Sequence, residues 1–258
     1  MREESNFRRE NVPDFERESF DKLTQHRTFE GILAPIMDGL VDSAREDIKR
    51  GRWTAVIGDD RSARFPALVM QDILSRTAQQ ESRPAVPGYF IAAGRTREGA
   101  EFEKNLKTRI QELKEYIGDG RALVVTDHIE SGVTLARLAK KFQEAGIAFD
   151  VMALSRQFPE DNRPVTDYES LFPADTKLYI GRDNDDSGLG FHLRMHRRAY
   201  VIAAQADIND TGLTPLKDEV VSGIDSEASR DLVVSAREEN RKLSDSLYEK
   251  HFKNGTNN

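Results

Sequence analysis

The sequence predicts an α/β protein built on a doubly wound parallel sheet, with helical extensions at both ends of the chain. Short apolar segments that read as buried strands are each followed by a longer segment with the apolar spacing of an amphipathic helix. Strands connected by helices of this length pair in parallel, because the helix returns the chain to the same end of the sheet. A chain of 258 residues is also long enough to bury a sizeable core.

The individual elements follow from the same patterns. Apolar residues from Phe29 to Ile48 recur every three or four positions, which predicts a helix whose first turn contains Pro35. The strands are predicted, in chain order, at 53–58, 89–93, 122–125, 149–154 and 178–180. The helices that follow them are predicted at 63–79, 98–117, 135–144 and 226–252. We divide the chain into a helical extension at 1–50, an α/β core at 51–185 and a C-terminal region at 186–258.

Composition excludes several classes of function. The formal net charge of −7 argues against a broad nucleic-acid surface, although the arginines from Arg194 to Arg198 leave a local RNA contact as a minor alternative. The chain has no cysteine, so disulfides, thiolate metal sites and cysteine nucleophiles are excluded. It contains no run of about 18 apolar residues of the kind that spans a membrane. We therefore expect a cytoplasmic protein with no membrane partner.

The stretch from Ala122 to Leu135 carries the most specific signal in the chain. An apolar strand leads into Asp127 and then into a Ser-Gly-x-Thr turn that opens the next predicted helix. The first N–H groups of a helix have no intrahelical partners, and with the helix dipole they favour an anion. The residues that would surround this anion are Ser131, Gly132, Val133 and Thr134. Because Asp127 can accept hydrogen bonds from sugar hydroxyls, the segment indicates a sugar-phosphate site; the alternative is an ordinary helix-capping turn.

A second strand, turn and helix start runs from Val56 to Arg64. Its turn contains an acid, an arginine and a serine, namely Asp60, Arg61 and Ser62. The guanidinium of Arg61 is a planar fork that can contact two phosphate oxygens. The alternative is that Asp60 and Ser62 cap the helix while Arg61 and Arg64 face solvent.

The first of these motifs resembles the PRPP-binding signature of type I phosphoribosyltransferases, in which a hydrophobic strand is followed by two acids and then by Thr/Ser-Gly-x-Thr. The family's two acids fall at Thr126 and Asp127, so this chain keeps only the second. Glu130 falls where the purine-type members carry a catalytic acid or base. The position of the Asp60 to Ser62 turn resembles the family's pyrophosphate loop. The resemblance covers roughly residues 53–185 and implies a sheet of the phosphoribosyltransferase type.

The resemblance also implies roles for further residues. The 5′-phosphate is expected on Ser131 to Thr134, the ribose on Asp127 and the pyrophosphate on the turn that contains Arg61. A mobile loop at 94–99 would bring Arg95 and Arg97 to the phosphates. The segment from Gly181 to Asp185 fits a Gly-x-x-x-Asp pattern that lines the base and metal region, so Mg²⁺ is expected near Asp127 and Asp185. The proposed catalytic residues are Glu130, Asp127 and Arg61.

Two functions follow as expectations from this resemblance. The first is an enzyme that moves the 5-phosphoribosyl group of PRPP to a nucleobase or another nitrogenous acceptor, with Mg²⁺ as cofactor and a homodimer as a compatible assembly. The second is a noncatalytic regulatory protein of the same fold that binds PRPP or a nucleotide, which the threonine at position 126 favours. No motif in the sequence identifies the acceptor.

Overall fold

A computed structural model describes residues 29–59, 63–91, 100–129, 132–156, 172–183, 214–215 and 227–253. The strands are β1 (Ala55–Asp59), β2 (Gly88–Ile91), β3 (Arg121–Ile129), β4 (Ala148–Arg156), β5 (Leu178–Ile180) and β6 (Thr214–Pro215). The helices are α1 (Ala34–Lys49), α2 (Arg64–Gln80), α3 (Ala100–Ile117), α4 (Val133–Glu144) and α5 (Glu227–Tyr248). Short π-helical segments precede α1 at Phe29–Leu33 and follow α5 at Glu249–Lys253.

The strands form one sheet in the order β5-β4-β3-β1-β2-β6. The first five are mutually parallel, and the two-residue β6 pairs antiparallel with β2 at the edge. The predicted α/β class with a parallel sheet is therefore confirmed. The chain passes from β1 to β2 on one side and later to β3 on the other, so the strand order reverses between β1 and β3.

The sheet is covered by helices on both faces. Helices α1, α2 and α5 bury their apolar stripes on one face, in a cluster that includes Leu40, Met70, Leu247, Val125 and Met152. Helices α3 and α4 cover the other face in a second cluster, which includes Leu113, Phe142, Val124 and Val151. Adjacent residues of the central strands thus point into different cores, which explains their continuous apolar sequences. None of the helices in the described ranges has the length and apolar character needed to cross a membrane.

The predicted element boundaries agree with the structure to within a few residues, with two exceptions. Strand β3 continues to Ile129, four residues past the predicted end at Val125. The polar residues from Thr126 to His128 hid this extension, because their hydrogen bonding to β4 is not visible in a hydropathy pattern. Strand β6 was not predicted, since two residues that include Pro215 carry no strand signal.

The amino ends of the strands are held together by a buried carboxylate, Asp150. It is fully buried in β4 and accepts hydrogen bonds from Arg52 Nε at 2.6 Å and from the indole Nε1 of Trp53 at 2.8 Å. Arg121 Nη1 donates at 3.0 Å and the backbone N–H of Lys177 at 2.8 Å. One side chain therefore joins the segment before β1 to the starts of β3, β4 and β5, at the end of the sheet opposite to the predicted site.

Beside it, Asp47 fixes helix α1 to β5. Lys177 Nζ donates to both Asp47 oxygens, at 2.9 and 2.7 Å, and the Tyr179 hydroxyl donates at 2.5 Å. Burial works against ionisation of Asp47, but these hydrogen bonds and the charges of Lys177 and Arg52 outweigh it and hold the pKa of the carboxyl below its ordinary value. Burial and the neighbouring Asp47 raise the pKa of the Tyr179 phenol, so that hydroxyl stays a donor at neutral pH.

We expect Asp47→Asn to lower the free energy of unfolding at pH 7 by about 1.5–3 kcal/mol, the usual range for hydrogen bonds to a charged group. The pKa of Asp47 is lower in the folded state than the value of about 3.9 in the unfolded chain, so its stabilisation is present above that pH. The stabilisation is lost as the pH falls through the lower, folded-state pKa. Urea unfolding at a series of pH values measures this difference between wild type and variant.

The control is Glu46→Gln, on the same helix, where the side chain is 69% exposed and pairs only loosely with Lys49 at 3.8 Å. That variant should change stability by less than about 0.5 kcal/mol at every pH. The destabilisation by Asp47→Asn should shrink as the pH falls below the pKa of the unfolded carboxyl. If it does not shrink there, the ionised Asp47 is not what stabilises the contact between α1 and β5.

Candidate functional site

The carboxyl end of β3 contains the acid that the sequence singled out. Thr126, Asp127 and His128 all lie within the strand, and β3 pairs with β4 as far as Ile129 opposite Arg156. Thr126 is only 3% exposed, whereas Asp127 is half-buried. Because successive strand residues point to opposite faces, Thr126 and Asp127 are directed into different layers of the fold.

Helix α4 begins directly after this strand, and Gly132 is its N-cap residue. Gly132 has the left-handed backbone angles φ 66° and ψ −3°, and its carbonyl accepts the first helical hydrogen bond, from Ala136 N–H at 2.8 Å. The N–H groups of the first turn, from Val133 onwards, have no acceptor within the helix. Val133 is 54% exposed and Thr134 is half-buried, whereas Gly132 is buried.

Strand β1 ends beside β3, at the place where the strand order reverses. Gly58 pairs with Val125, and Asp59, the last residue of β1, is buried. The two neighbouring strands therefore end at the same edge of the sheet, β1 at Asp59 and β3 at Ile129. In open α/β sheets this reversal point is where ligands bind, because the loops that diverge there leave a crevice between them.

Helix α2 starts at this edge with a buried arginine. Ala63 is the N-cap residue and makes no side-chain capping hydrogen bond. Arg64 is 7% exposed and its guanidinium lies 4.5 Å from the centre of the Phe90 ring, at the end of β2. The alternative that Arg64 faces solvent is therefore wrong. Arg64 instead places a positive charge inside the protein, near the end of β1.

A hydrogen bond between His128 and Ser155 joins the ends of β3 and β4. His128 Nδ1 lies 2.7 Å from Ser155 Oγ, and the same hydroxyl lies 3.4 Å from the Asp127 carbonyl. If Ser155 donates to that carbonyl, the imidazole donates to Ser155 through Nδ1 and keeps Nε2 as an acceptor. Ser155 is 1% exposed, so it supports the strand end and is not accessible as a nucleophile. This pair was not predicted from the sequence, although His128 directly follows the predicted acid.

The end of β4 is tied to the segment after β5. Arg156 Nε donates to Asp183 Oδ1 at 2.8 Å, and the Arg156 N–H donates to the Arg182 carbonyl at 2.9 Å. Gly181 packs against α1, where an added Cβ would approach the Ile36 side chain to 2.5 Å. Close packing therefore accounts for this glycine, whatever role the following residues have.

Several predicted site residues lie outside the described residues, so their place in the site stays a prediction. They are Asp60, Arg61, Ser62, Arg95, Arg97, Glu130, Ser131 and Asp185. The arginines from Arg194 to Arg198 are also outside. Within the described part of the chain, no three His, Cys, Asp or Glu side chains come close enough together to hold a metal ion. The Mg²⁺ site therefore stays a prediction.

Comparison with known proteins leaves the family open. No protein-family model matches the chain, and no curated protein matches it. Among solved structures, the chain is similar to the crystal structure of a hypothetical protein from Neisseria gonorrhoeae with bound ppGpp. The match has 13% sequence identity and a TM-score of 0.33, and covers 62% of this chain and 90% of that chain. Both values are too low for the ligand of that protein to be transferred to this one.

Proposed function

We propose that this protein is a divergent member of the type I phosphoribosyltransferase family and that it binds PRPP with Mg²⁺ at the edge shared by β1 and β3. The observation that carries the proposal is the adjacency of these two strands where the strand order reverses. The two phosphate motifs of the sequence follow these strands directly. A single PRPP molecule carries a 5′-phosphate and a pyrophosphate, so two neighbouring anion loops match its two charged ends.

The roles of the residues follow from this arrangement. The first turn of α4, with Gly132, Val133 and Thr134, would donate N–H and hydroxyl groups to the 5′-phosphate together with Ser131. Asp127, half-buried at the end of β3, would accept hydrogen bonds from the ribose hydroxyls. The turn after β1 would hold the pyrophosphate through Arg61, with Asp60 and Ser62 beside it. Arg95 and Arg97 would cover the phosphates from the loop after β2.

In the proposed reaction the bond from the ribose C1 to pyrophosphate breaks, and a bond from C1 to a nitrogen of the acceptor forms. Glu130 would take the proton that this nitrogen loses. Mg²⁺, near Asp127 and Asp185, would offset the negative charge of the pyrophosphate. The protein supplies fixed donors where charge develops on the leaving group, which is the main source of acceleration in such sites.

A noncatalytic PRPP or nucleotide sensor is the second candidate, and the environment of Thr126 favours it. Where the family carries an acid, this chain has a threonine that is 3% exposed and pairs with Ala153 of β4. One carboxylate at the end of β3 holds a ribose diol less firmly than two and attracts Mg²⁺ less. A site can lose turnover in this way and keep affinity for its ligand.

Calorimetry with PRPP and Mg²⁺, followed by a screen of nucleobases for pyrophosphate release, separates these candidates. In an enzyme, Glu130→Gln should lower turnover and leave PRPP affinity nearly unchanged, because proton transfer matters only in the transition state. Arg61→Ala should weaken both binding and turnover, since it removes a phosphate contact made in both states. Binding without turnover on any base supports the sensor. If PRPP does not bind at all, the enzyme and the PRPP sensor are both wrong, and only a sensor of another nucleotide is left.

The mutation Thr126→Asp tests whether Thr126 faces the metal region. Thr126 is only 3% exposed, and burying a carboxylate costs free energy, so we expect the variant to have a lower melting temperature than wild type in the absence of Mg²⁺. Mg²⁺ with PRPP should restore the melting temperature and tighten PRPP binding by about 1–2 kcal/mol, as charged hydrogen bonds do.

The control for this experiment is Thr77→Asp, which places an acid at another buried threonine, 4% exposed in the last turn of α2. It should lower the melting temperature similarly, with no recovery on adding Mg²⁺ and PRPP. Equal behaviour of the two variants would mean that the end of β3 has been remodelled for a different ligand.

A further inference from the structure

His128 lies where β3 and β4 end together, one residue beyond Asp127. It pairs with Ser155 of β4, two positions after the pair of Thr126 with Ala153. Since Ala153 belongs to the core under α3 and α4, the alternation of strand residues directs His128 and Ser155 to that same face of the sheet. Ser155 is 1% exposed, whereas His128 is only half-buried. His128 is therefore a partly exposed polar residue at the carboxyl edge of the sheet.

The contact with Ser155 determines which nitrogen of the imidazole carries a hydrogen. Nδ1 lies 2.7 Å from Ser155 Oγ, and the same hydroxyl lies 3.4 Å from the Asp127 carbonyl. The shorter distance is typical of a donating hydroxyl, so the single hydroxyl hydrogen is assigned to the contact with Nδ1. A neutral imidazole that accepts at Nδ1 carries its own hydrogen on Nε2, and a protonated imidazole also has one there. No residue in the described ranges is hydrogen-bonded to Nε2, so the ring presents an N–H donor.

The strand order places this imidazole on the side from which the acceptor would approach. In the proposed function, on which this inference rests, Asp127 holds the ribose and the turn after β1 holds the pyrophosphate. Strand β3 lies between β1 and β4, and the contact with Ser155 draws the His128 ring toward β4. In a single displacement at C1 the incoming nitrogen approaches from the side opposite to the leaving group. The acceptor is therefore expected beside His128, at the ends of β3 and β4.

We propose that His128 selects the acceptor: its Nε2–H donates a hydrogen bond to a carbonyl oxygen on the acceptor ring and disfavours an amino group in the same place. Two N–H donors that face each other leave both without an acceptor, which costs free energy once water is excluded. Ser155 is a positioning residue, because it acts through the imidazole. The same selection is expected in the enzyme and in a nucleotide sensor, because both would hold the base of a nucleotide here.

Two nucleotides that differ in this group test the selection. Inosine 5′-monophosphate has a carbonyl oxygen on its base where adenosine 5′-monophosphate has an amino group. We expect calorimetry on the full chain to show that the inosine nucleotide binds about tenfold more tightly, the effect of one hydrogen bond gained and one mismatch avoided. Ribose 5-phosphate has no base and is the reference for contacts to the phosphate and the sugar. Equal affinities for the two nucleotides would overturn the proposal.

Matched histidine variants locate the effect. His128→Asn should remove the preference, because the shorter amide can still bond to Ser155 but does not reach the position of Nε2. Its affinity for ribose 5-phosphate should stay close to that of wild type. The control is His251→Asn, at a buried histidine whose Nε2 lies 2.8 Å from Asp38 of α1, and it should keep the full preference. If His128→Asn weakens ribose 5-phosphate as much as the inosine nucleotide, the imidazole contacts the phosphate and the proposal is wrong.

The ¹⁵N signals of the imidazole test the role of Ser155. In the wild type, we expect long-range ¹H–¹⁵N spectra to show that Nε2 of His128 carries a hydrogen, with His128→Asn identifying the signal. Ser155→Ala should allow both neutral tautomers and reduce the preference for the inosine nucleotide without removing it. If the neutral wild-type ring carries its hydrogen on Nδ1, Nε2 is an acceptor and the preference should run to the amino group, which contradicts the proposal.

PRPP binding separates the selection by His128 from the proposed function. If wild type binds PRPP but does not distinguish the two nucleotides, the selection is wrong and the proposed function stands. If wild type prefers the inosine nucleotide through His128 and does not bind PRPP, the selection stands for a nucleotide sensor and the enzyme is wrong. If neither nucleotide binds, the selection is wrong whatever PRPP does.

Discussion

Replacing Asp150 by alanine should lower the free energy of unfolding by about 3–5 kcal/mol, the range found when one partner of a buried ion pair is removed. The carboxylate is fully buried and accepts hydrogen bonds from Arg52, Trp53, Arg121 and the backbone of Lys177. Without it, two guanidinium groups each lose one acceptor, and the indole N–H of Trp53 loses its carboxylate partner. The loss is a large fraction of the 5–15 kcal/mol that stabilises a typical domain.

Chemical denaturation measures this effect, and Asp150→Asn provides a second variant if the alanine protein does not fold. The amide keeps one acceptor oxygen and loses the charge, so its destabilisation should fall between wild type and Asp150→Ala. The matched control is Asp175→Ala. Asp175 pairs with the same Arg121 but its side chain is 67% exposed, so removing it should cost no more than about 1 kcal/mol. Similar losses at Asp150 and Asp175 would show that burial does not set the strength of these pairs.

The positions of the strands and helices could be predicted because periodicity and length carry that information. Strands buried on both faces read as continuous apolar runs, and each amphipathic helix between them reads as an apolar stripe. The role of Asp150 could not be predicted in the same way. Its partners lie far away in the sequence. Arg52 and Trp53 are 98 and 97 residues before it, and Arg121 is 29 residues before it. Only the parallel register of the strands brings them together. A charged residue inside the apolar run Phe149 to Leu154 was the available signal.

The candidate site was predictable only in part. The order of strand, acid and Gly-containing turn located Asp127 and Gly132, but the adjacency of β1 and β3 depends on the strand order, which no single motif encodes. The orientation of Thr126 away from Asp127 also needed the length of β3, since a strand that ended at Val125 would have left both residues in a loop. His128 and Ser155 are paired across two strands, and neither residue has a local pattern that indicates this contact.

Gly132→Val should weaken PRPP binding at least tenfold, which corresponds to about 1.4 kcal/mol. A valine side chain at the N-cap of α4 is expected to enter the space in front of the first-turn N–H groups, which have no acceptor within the helix and where the 5′-phosphate is proposed to lie. Gly132 also has a φ of 66°, which non-glycine residues adopt at a cost of about 1–2 kcal/mol. A loss of binding in this variant alone could therefore reflect backbone strain and not the anion site.

Gly146→Val separates these two causes. Gly146 follows the other end of the same helix with a φ of 67°, and an added Cβ meets nothing within 4 Å. Both substitutions should reduce stability in urea unfolding, because both place a side chain at a positive φ. Only Gly132→Val should lose affinity for Mg²⁺ and PRPP in calorimetry, and the milder pair Gly132→Ala and Gly146→Ala should show the same contrast with less destabilisation. If both valine variants bind PRPP as wild type does, the phosphate does not lie at the start of α4; if both lose it equally, strain on the helix is the cause.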